Sequence, residues 1–150
     1  MRLPESRTMS ALLVERASRE PNATAVIADS ATTDYATLAL RSSRVAGYLQ
    51  SMGIKRGGRV GLLCDNRREW LEIFFGIAAL GAAVVPFSTW STAAELDFLV
   101  EDSRVTLIFT LDRIGERAFA DDFCGFANGD KHPLLEHVVV LGASEASPAC

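Results

Sequence analysis

At 150 residues, 49% of them hydrophobic, the chain has material for one domain with a substantial core and not for two ordinary ones. Its 15 basic and 19 acidic residues give a formal charge of −4. That balance lacks the positive footprint that nucleic-acid backbones and anionic membrane surfaces attract, so neither is expected as a partner.

Cys64, Cys124 and Cys150 are odd in number and far apart, with no Cys-x-x-Cys pair, and Met1-Arg2-Leu3-Pro4 does not open a signal peptide. A reduced, cytoplasmic setting is expected. His132 and His137 stand five apart rather than the four that would put two imidazoles on one helix face, so they read as partly exposed loop residues rather than as a metal pair. Residues 73–87 (IFFGIAALGAAVVPF) carry no charge, but the run is shorter than the roughly 20 apolar residues that a bilayer span requires. It reads as the end of a buried helix followed by a buried strand.

In chain order, a helix is expected over residues 10–19, where Leu12, Leu13 and Ala17 repeat at helical spacing and Glu15, Arg16 and Arg19 face outward. Short strands at 25–28 and 32–34, joined by the turn chemistry of Asp29-Ser30-Ala31, suggest a hairpin. From Tyr35 the period becomes helical: Leu38, Val45, Leu49 and Met52 form one stripe, Asp34 can cap the free amides, and Gly53 can take the left-handed conformation at the end.

After the loop 54–59, Val60-Gly61-Leu62-Leu63 is an apolar run of the length of a strand buried on both faces. Asn66 and Glu69 can cap a helix over 67–80 whose buried face is Trp70, Phe74, Ile77 and Ala78. Gly81 ends it, 83–87 is a second central strand, and Thr92-Ala93-Ala94-Glu95 is a capping box ahead of Leu96, Leu99 and Val100. Residues 106–110 read as a third central strand, 112–123 as a helix, 124–133 as loop, and the β-branched run 137–141 as the last strand. Strands separated by helices of ten or more residues imply an α/β fold with a mostly parallel sheet flanked by helices.

Chemistry is not evident from the residues alone. The glycines of 53–61 end a helix and precede a strand, the reverse of a dinucleotide fingerprint, and no G-x-x-x-x-G-K-[ST] loop is present. Gly142-Ala143-Ser144-Glu145-Ala146 is shaped like a hydrolase elbow, yet Pro148 leaves no room for its helix and both histidines precede the serine. The pairs Glu101-Asp102 and Asp121-Asp122 point in different directions and read as solvated helix ends.

Residues 57–110 (GGRVGLLCDNRREWLEIFFGIAALGAAVVPFSTWSTAAELDFLVEDSRVTLIFT) resemble the N-terminal region of the adenylate-forming superfamily of acyl-CoA synthetases, luciferases and peptide-synthetase adenylation domains. The order of strand VGLLCDN, helix EWLEIFFGIAALGA, strand VVPFSTW and capped helix TAAELDFLVEDS carries the resemblance, which covers about residues 10–110 and is most like the carboxylate-activating CoA ligases. It implies the N-terminal part of an AMP-binding large domain, residues 1–150 forming a single partial domain. It implies also a two-step reaction in which ATP and a carboxylic acid give an acyl-adenylate and the CoA thiolate then displaces AMP, with Mg2+ offsetting phosphate charge.

In that family the phosphate loop and the mobile C-terminal domain lie further along than these residues reach, so no catalytic residue is carried over and no metal ligand is assigned. The chain alone is expected to bind no cofactor and not to turn over ATP. Association with the remainder of the large domain, or self-association, is expected instead. Ligand contact, if made, is expected from the carboxyl ends of the strands, at Cys64, Asp65, Asn66 and the loop Phe87, Ser88, Thr89 and Trp90. A non-catalytic α/β binding module derived from such a ligase stays open as the alternative.

Overall fold

A computed structural model describes residues 5–28 and 31–142. The chain divides into two compact units, one made of the residues up to Gly57 together with Asn66–Ala83, the other of Gly58–Asp65 and the residues from Val84 onward. The elements that carry the first unit are α1 (Met9–Arg19), β1 (Thr24–Ala28), β2 (Ala31–Asp34), α2 (Tyr35–Ser51) and α3 (Arg68–Ala79).

Helix α1 begins one residue earlier than expected because Thr8, in extended backbone, accepts from the Ala11 N–H at 3.2 Å. Glu15 does not face outward as its spacing suggested. Its carboxylate takes the Ser6 N–H at 2.9 Å and the Ser6 hydroxyl, and pairs with Arg19 at 2.8 Å, so it folds the preceding segment back onto the helix. The expected hairpin is present: β1 and β2 pair antiparallel with Val26 opposite Thr33, while its turn at Asp29-Ser30 lies outside the described residues.

Asp34 caps α2 as its chemistry required, accepting from the Thr37 N–H at 2.7 Å, and Gly53 takes φ 81° beyond the helix end. Leu38 and Leu49 of the expected stripe are buried. Helix α2 packs on α3 at Gly76, where a Cβ would sit 2.7 Å from the Val45 side chain and 3.0 Å from the Ser42 carbonyl oxygen. Arg41 and Glu72 bridge the two helices at 2.9 Å.

The expected cap of α3 is corrected. Arg67, not Asn66, occupies the N-cap with φ −129° and ψ 164°, and no side chain caps the helix. The chain enters the helix one residue later than the Asn66-to-Glu69 spacing needs. Of its expected buried face Ile77 is buried as read, joined by Ile73 and Gly76, while Trp70, Phe74 and Ala78 are only half-buried, the two rings stacked at 5.4 Å.

The second unit is built on a four-stranded sheet in the order β4 (Ala83–Pro86), β3 (Arg59–Leu63), β5 (Leu107–Leu111), β8 (His137–Leu141). Strands β3 and β5 run parallel with Val60 opposite Leu107, and β5 and β8 run parallel with Ile108 opposite Val138. All five residues of β5 are buried, as an inner parallel strand requires. The reading of 83–87 as a central, buried strand is corrected, because β4 is an edge strand with exposed ends. Pro86 supplies a physical reason, since a residue without an N–H is tolerated at an edge and not inside a ladder.

Helix α4 (Ala93–Ser103) carries the capping box that its sequence announced, with Glu95 N–H to Thr92 Oγ1 at 3.3 Å and Thr92 N–H to Glu95 Oε2 at 2.7 Å. The helix expected over 112–123 is also corrected. Arg113–Ile114 (β6) and Arg117–Ala118 (β7) form a small antiparallel hairpin, and α5 (Phe119–Asn128) starts only afterwards and runs through part of the expected loop. Gly115, at φ 59°, makes the two-residue turn possible.

Leu63, Phe87, Leu96, Val100, Ile108, Phe119, Phe123 and Val138 are among the residues of this unit's core, with Phe123 5.9 Å from both Phe87 and Phe126. Among the described residues no helix is long and apolar enough to cross a membrane. The segment expected to turn at Ser144 lies outside the described residues.

Candidate ligand-contact face

Strands β3 and β4 lie side by side, and Phe87 N–H donates to the Leu62 carbonyl at 3.0 Å, so the segment leaving β4 runs beside the end of β3. That places Cys64 and Asp65, which follow β3, on the same rim of the sheet as the loop 87–91. The carboxyl rim is where open parallel sheets leave a crevice, because the loops there diverge toward different helices.

The sequence-nominated residues take different positions on this rim. Phe87 points inward, its ring 6% exposed and packed where a Cβ on Gly61 would come within 2.6 Å. Ser88 organises the turn: its Oγ accepts from the Trp90 N–H at 3.1 Å and its carbonyl accepts from the Ser91 N–H at 3.1 Å. Thr89 is half-buried. Trp90 stands at the tip with 93% of its surface exposed. Cys64 is half-buried, its Sγ 3.8 Å from the Asp65 carboxylate.

Asn66 belongs to the first unit rather than to this rim, where it lines a cavity of about 290 Å³ with Val26, Ile27, Arg67 and Trp70. A shallow cavity of about 440 Å³ opens immediately after the loop, lined by Ser91, Ala94, Glu95, Phe98 and Leu99. Phe98 is largely exposed there. Glu95 is held below the usual carboxylate range, first by the Thr92 N–H and then by the Thr92 hydroxyl, with the Arg117 charge a smaller contribution. It is therefore a fixed anion committed to its helix cap.

Two groups escaped the sequence reading. Arg117, from the hairpin that was read as helix, donates to the Ser91 carbonyl, lies 3.4 Å from Asp122, and covers the Phe119 ring at 4.5 Å. The pattern Arg113-Ile114-Gly115-Glu116-Arg117, with a glycine between two short polar and apolar pairs, is the signal that could have found that hairpin.

His132 is the second group, and the expectation of a partly exposed loop histidine is corrected. It is 5% exposed, its Nε2 lies 2.7 Å from Asp97 Oδ1, and its ring meets the Phe126 edge at 5.3 Å. Lys131 takes the other Asp97 oxygen, and this bond, followed by that to His132, holds the Asp97 carboxyl below its usual range. His137, by contrast, is a half-buried residue of β8.

The rim offers an aromatic face, hydroxyls and backbone groups, which suit binding and orientation. Among the described residues no three His, Cys, Asp or Glu side chains are grouped so as to hold a metal ion. The described residues therefore offer no all-protein cage for a magnesium ion. A magnesium ion serving a nucleotide takes most of its ligands from phosphate oxygens and water in any case.

With this geometry, the family model described as "AMP-binding enzyme" matches residues 13–148. The chain belongs to that family, as its N-terminal segment, in an α/β fold with a parallel sheet flanked by helices. Among curated proteins it is similar to long-chain-fatty-acid–CoA ligase FadD13 of Mycobacterium tuberculosis, 38% identical over 96 residues covering 61% of this chain and 19% of the ligase. The fatty acid–[acyl-carrier-protein] ligase ScoC of Streptomyces coeruleorubidus is 32% identical over 112 residues, 75% of this chain and 22% of that protein. Among solved structures, the anthranilate CoA ligase AuaEII in complex with anthranoyl-AMP superposes with TM-score 0.81 at 26% identity, over 93% of this chain and 26% of that one. The chain thus spans about a quarter or less of the length of these relatives.

Proposed function

We propose that these 150 residues are the N-terminal part of the large domain of an AMP-forming acyl-CoA ligase, which joins a carboxylic acid to AMP and then passes the acyl group to CoA. The family match over residues 13–148 is the observation that carries this reading, and the likeness to a CoA ligase solved with its acyl-adenylate supports it. In the first step an acid oxygen attacks the α-phosphorus of ATP and pyrophosphate leaves. In the second the CoA thiolate attacks the acyl carbon and AMP leaves. The cytoplasm, where ATP and CoA are both at hand, is the compartment that such a reaction suits.

Acceleration of such steps comes from groups fixed on the phosphates and on the attacked carbonyl. On this reading those groups belong to the remaining portion of the ligase. This chain's share is to position: the rim of β3 and β4, with Cys64, Asp65 and the loop Ser88, Thr89 and Trp90, contacts the acyl group or CoA, while Phe87 anchors that loop in the core. Asn66 offers a separate contact at its own cavity in the first unit. The exposed Phe98 side chain suits packing against the remaining part of the large domain.

ATP–pyrophosphate exchange with a panel of short, medium, long and aromatic acids tests the reading. The chain alone is expected to give background exchange, and the chain supplied with the remaining portion of a family ligase as a second polypeptide is expected to give exchange above it. In that complemented enzyme Trp90→Ala should alter selectivity across the panel. Exchange that follows the concentration of the chain alone through repurification would overturn the division of labour. A complemented enzyme indifferent to Trp90→Ala would remove the loop from the site.

A further inference from the structure

The exposed Trp90 sits on a turn held at both ends. Upstream, Phe87 is sealed between Gly61 and Phe123, and its N–H is bonded to Leu62. Within the turn, Ser88 closes two hydrogen bonds, to Trp90 and to Ser91. Downstream, Thr92 enters the capping box of α4. The Ser91 carbonyl meets a side chain from elsewhere in the unit, and that side chain is Arg117.

Arg117 is itself built to hold a direction. Its guanidinium lies over Phe119, a ring buried in the core, and its second nitrogen reaches Asp122 in the first turn of α5. A ring beneath it and a carboxylate beside it remove rotamer freedom that a lysine would keep, so little entropy is lost when the third contact forms. The hairpin carrying it is fixed in turn by the ladder from Arg113 to Ala118 and by Ala120 N–H to the Asp112 carbonyl at 3.2 Å. A tryptophan on a free loop varies in both its backbone and its side-chain orientation, whereas a clamped turn fixes the backbone direction from which the ring projects.

We propose that Arg117 is the positioning residue of the loop 87–91: by tying the Ser91 carbonyl to the buried Phe119 and to Asp122 it fixes the orientation in which Trp90 is displayed. Its functional meaning rests on the reading of that loop as a ligand contact. Arg117 does not touch the ligand; it acts through the turn.

Fluorine NMR of the full chain grown on 5-fluorotryptophan tests this directly, because the chain has two tryptophans and Trp70, in the other unit, serves as an internal control. The Trp90 signal is assigned by its disappearance in Trp90→Phe. Arg117→Ala is expected to narrow the Trp90 line and move it toward free 5-fluorotryptophan while the Trp70 line stays in place. Arg117→Lys should recover only part of the change, since an ammonium can reach one acceptor but cannot stack and fork.

A Trp90 line that is the same in Arg117→Ala and in the parent, with Trp70 unmoved, overturns the proposal. Should Arg117→Ala shift both lines through loss of the fold, Asp122→Asn, which leaves Arg117 and its ring contact in place, is measured instead. A smaller movement of the Trp90 line alone then supports the clamp, and an unmoved line refutes it. The ligase reading fails on a different readout, pyrophosphate exchange, so the two can fall separately.

Discussion

The first unit closes its interior with helix against helix, and the second does so with strand beside strand under a cluster of phenylalanines. Each has a glycine at its tightest approach, and the two glycines do different work. At Gly76 the obstacle to a side chain is the facing helix itself, the Val45 side chain at 2.7 Å and the Ser42 carbonyl at 3.0 Å. At Gly61 it is the Phe87 ring at 2.6 Å and Ile108 at 2.7 Å. Packed helices set their own spacing by side-chain bulk, so a pair can move apart slightly. Paired strands are held near about 4.8 Å by their ladder, so only the side chains can move.

The sharpest test of that contrast is Phe123→Ala. This side chain is fully buried and touches two other rings, and removing it is expected to cost about 3–5 kcal/mol. Hydrogen exchange should show the loss in β5, α5 and β8, with the amides of β1 and α1 little changed. Equal loss in both units would break the comparison.

Next in size is the glycine pair. Gly61→Ala overpacks a strand and should cost about 1–3 kcal/mol. Gly76→Ala meets similar crowding but gains about 1 kcal/mol of helix propensity, so its net cost should be smaller. Denaturant midpoints of the two variants give the order, and the reverse order would show that the helix pair is the more rigid.

The smallest expected effect lies at the α2 cap. The hydrogen bond with Thr37 holds the Asp34 carboxyl below its usual 3.8, with the Thr37 side chain contributing most and its backbone N–H next. A carboxyl whose folded value is depressed contributes stability that is present above its ordinary value and is lost as pH falls through the folded value. Asn caps as well as Asp without titrating. Asp34→Asn should therefore flatten the acid limb of stability below pH 3.8 and leave it unaltered at neutral pH. Parallel acid limbs for the two proteins would mean that the cap does not contribute.

Much of the fold was legible wherever the deciding contacts fall within four residues of each other. Asp34 with Thr37, Thr92 with Glu95, and Gly53 past its helix are of that kind, and each stands as read. The cap at Asn66 failed by a single position, because the residue entering α3 in extended backbone is Arg67. Of the candidate site, the rim residues could be named from strand ends, but their roles could not. Phe87 and Trp90 belong to one short loop, and one is sealed in the core while the other is exposed.

By itself, then, the sequence determined the local elements and their alternation, because capping hydrogen bonds, glycine conformations and apolar periodicity act over one or two turns of chain. Tertiary structure alone decided that β4 is an edge, that 113–118 is a hairpin, that His132 is buried against Asp97, and that Arg117 reaches Ser91. The last two outcomes join residues 35 and 26 positions apart. Such contacts depend on which strands pair and which loops close, and that choice is made by the packing of the whole unit rather than by any window of residues.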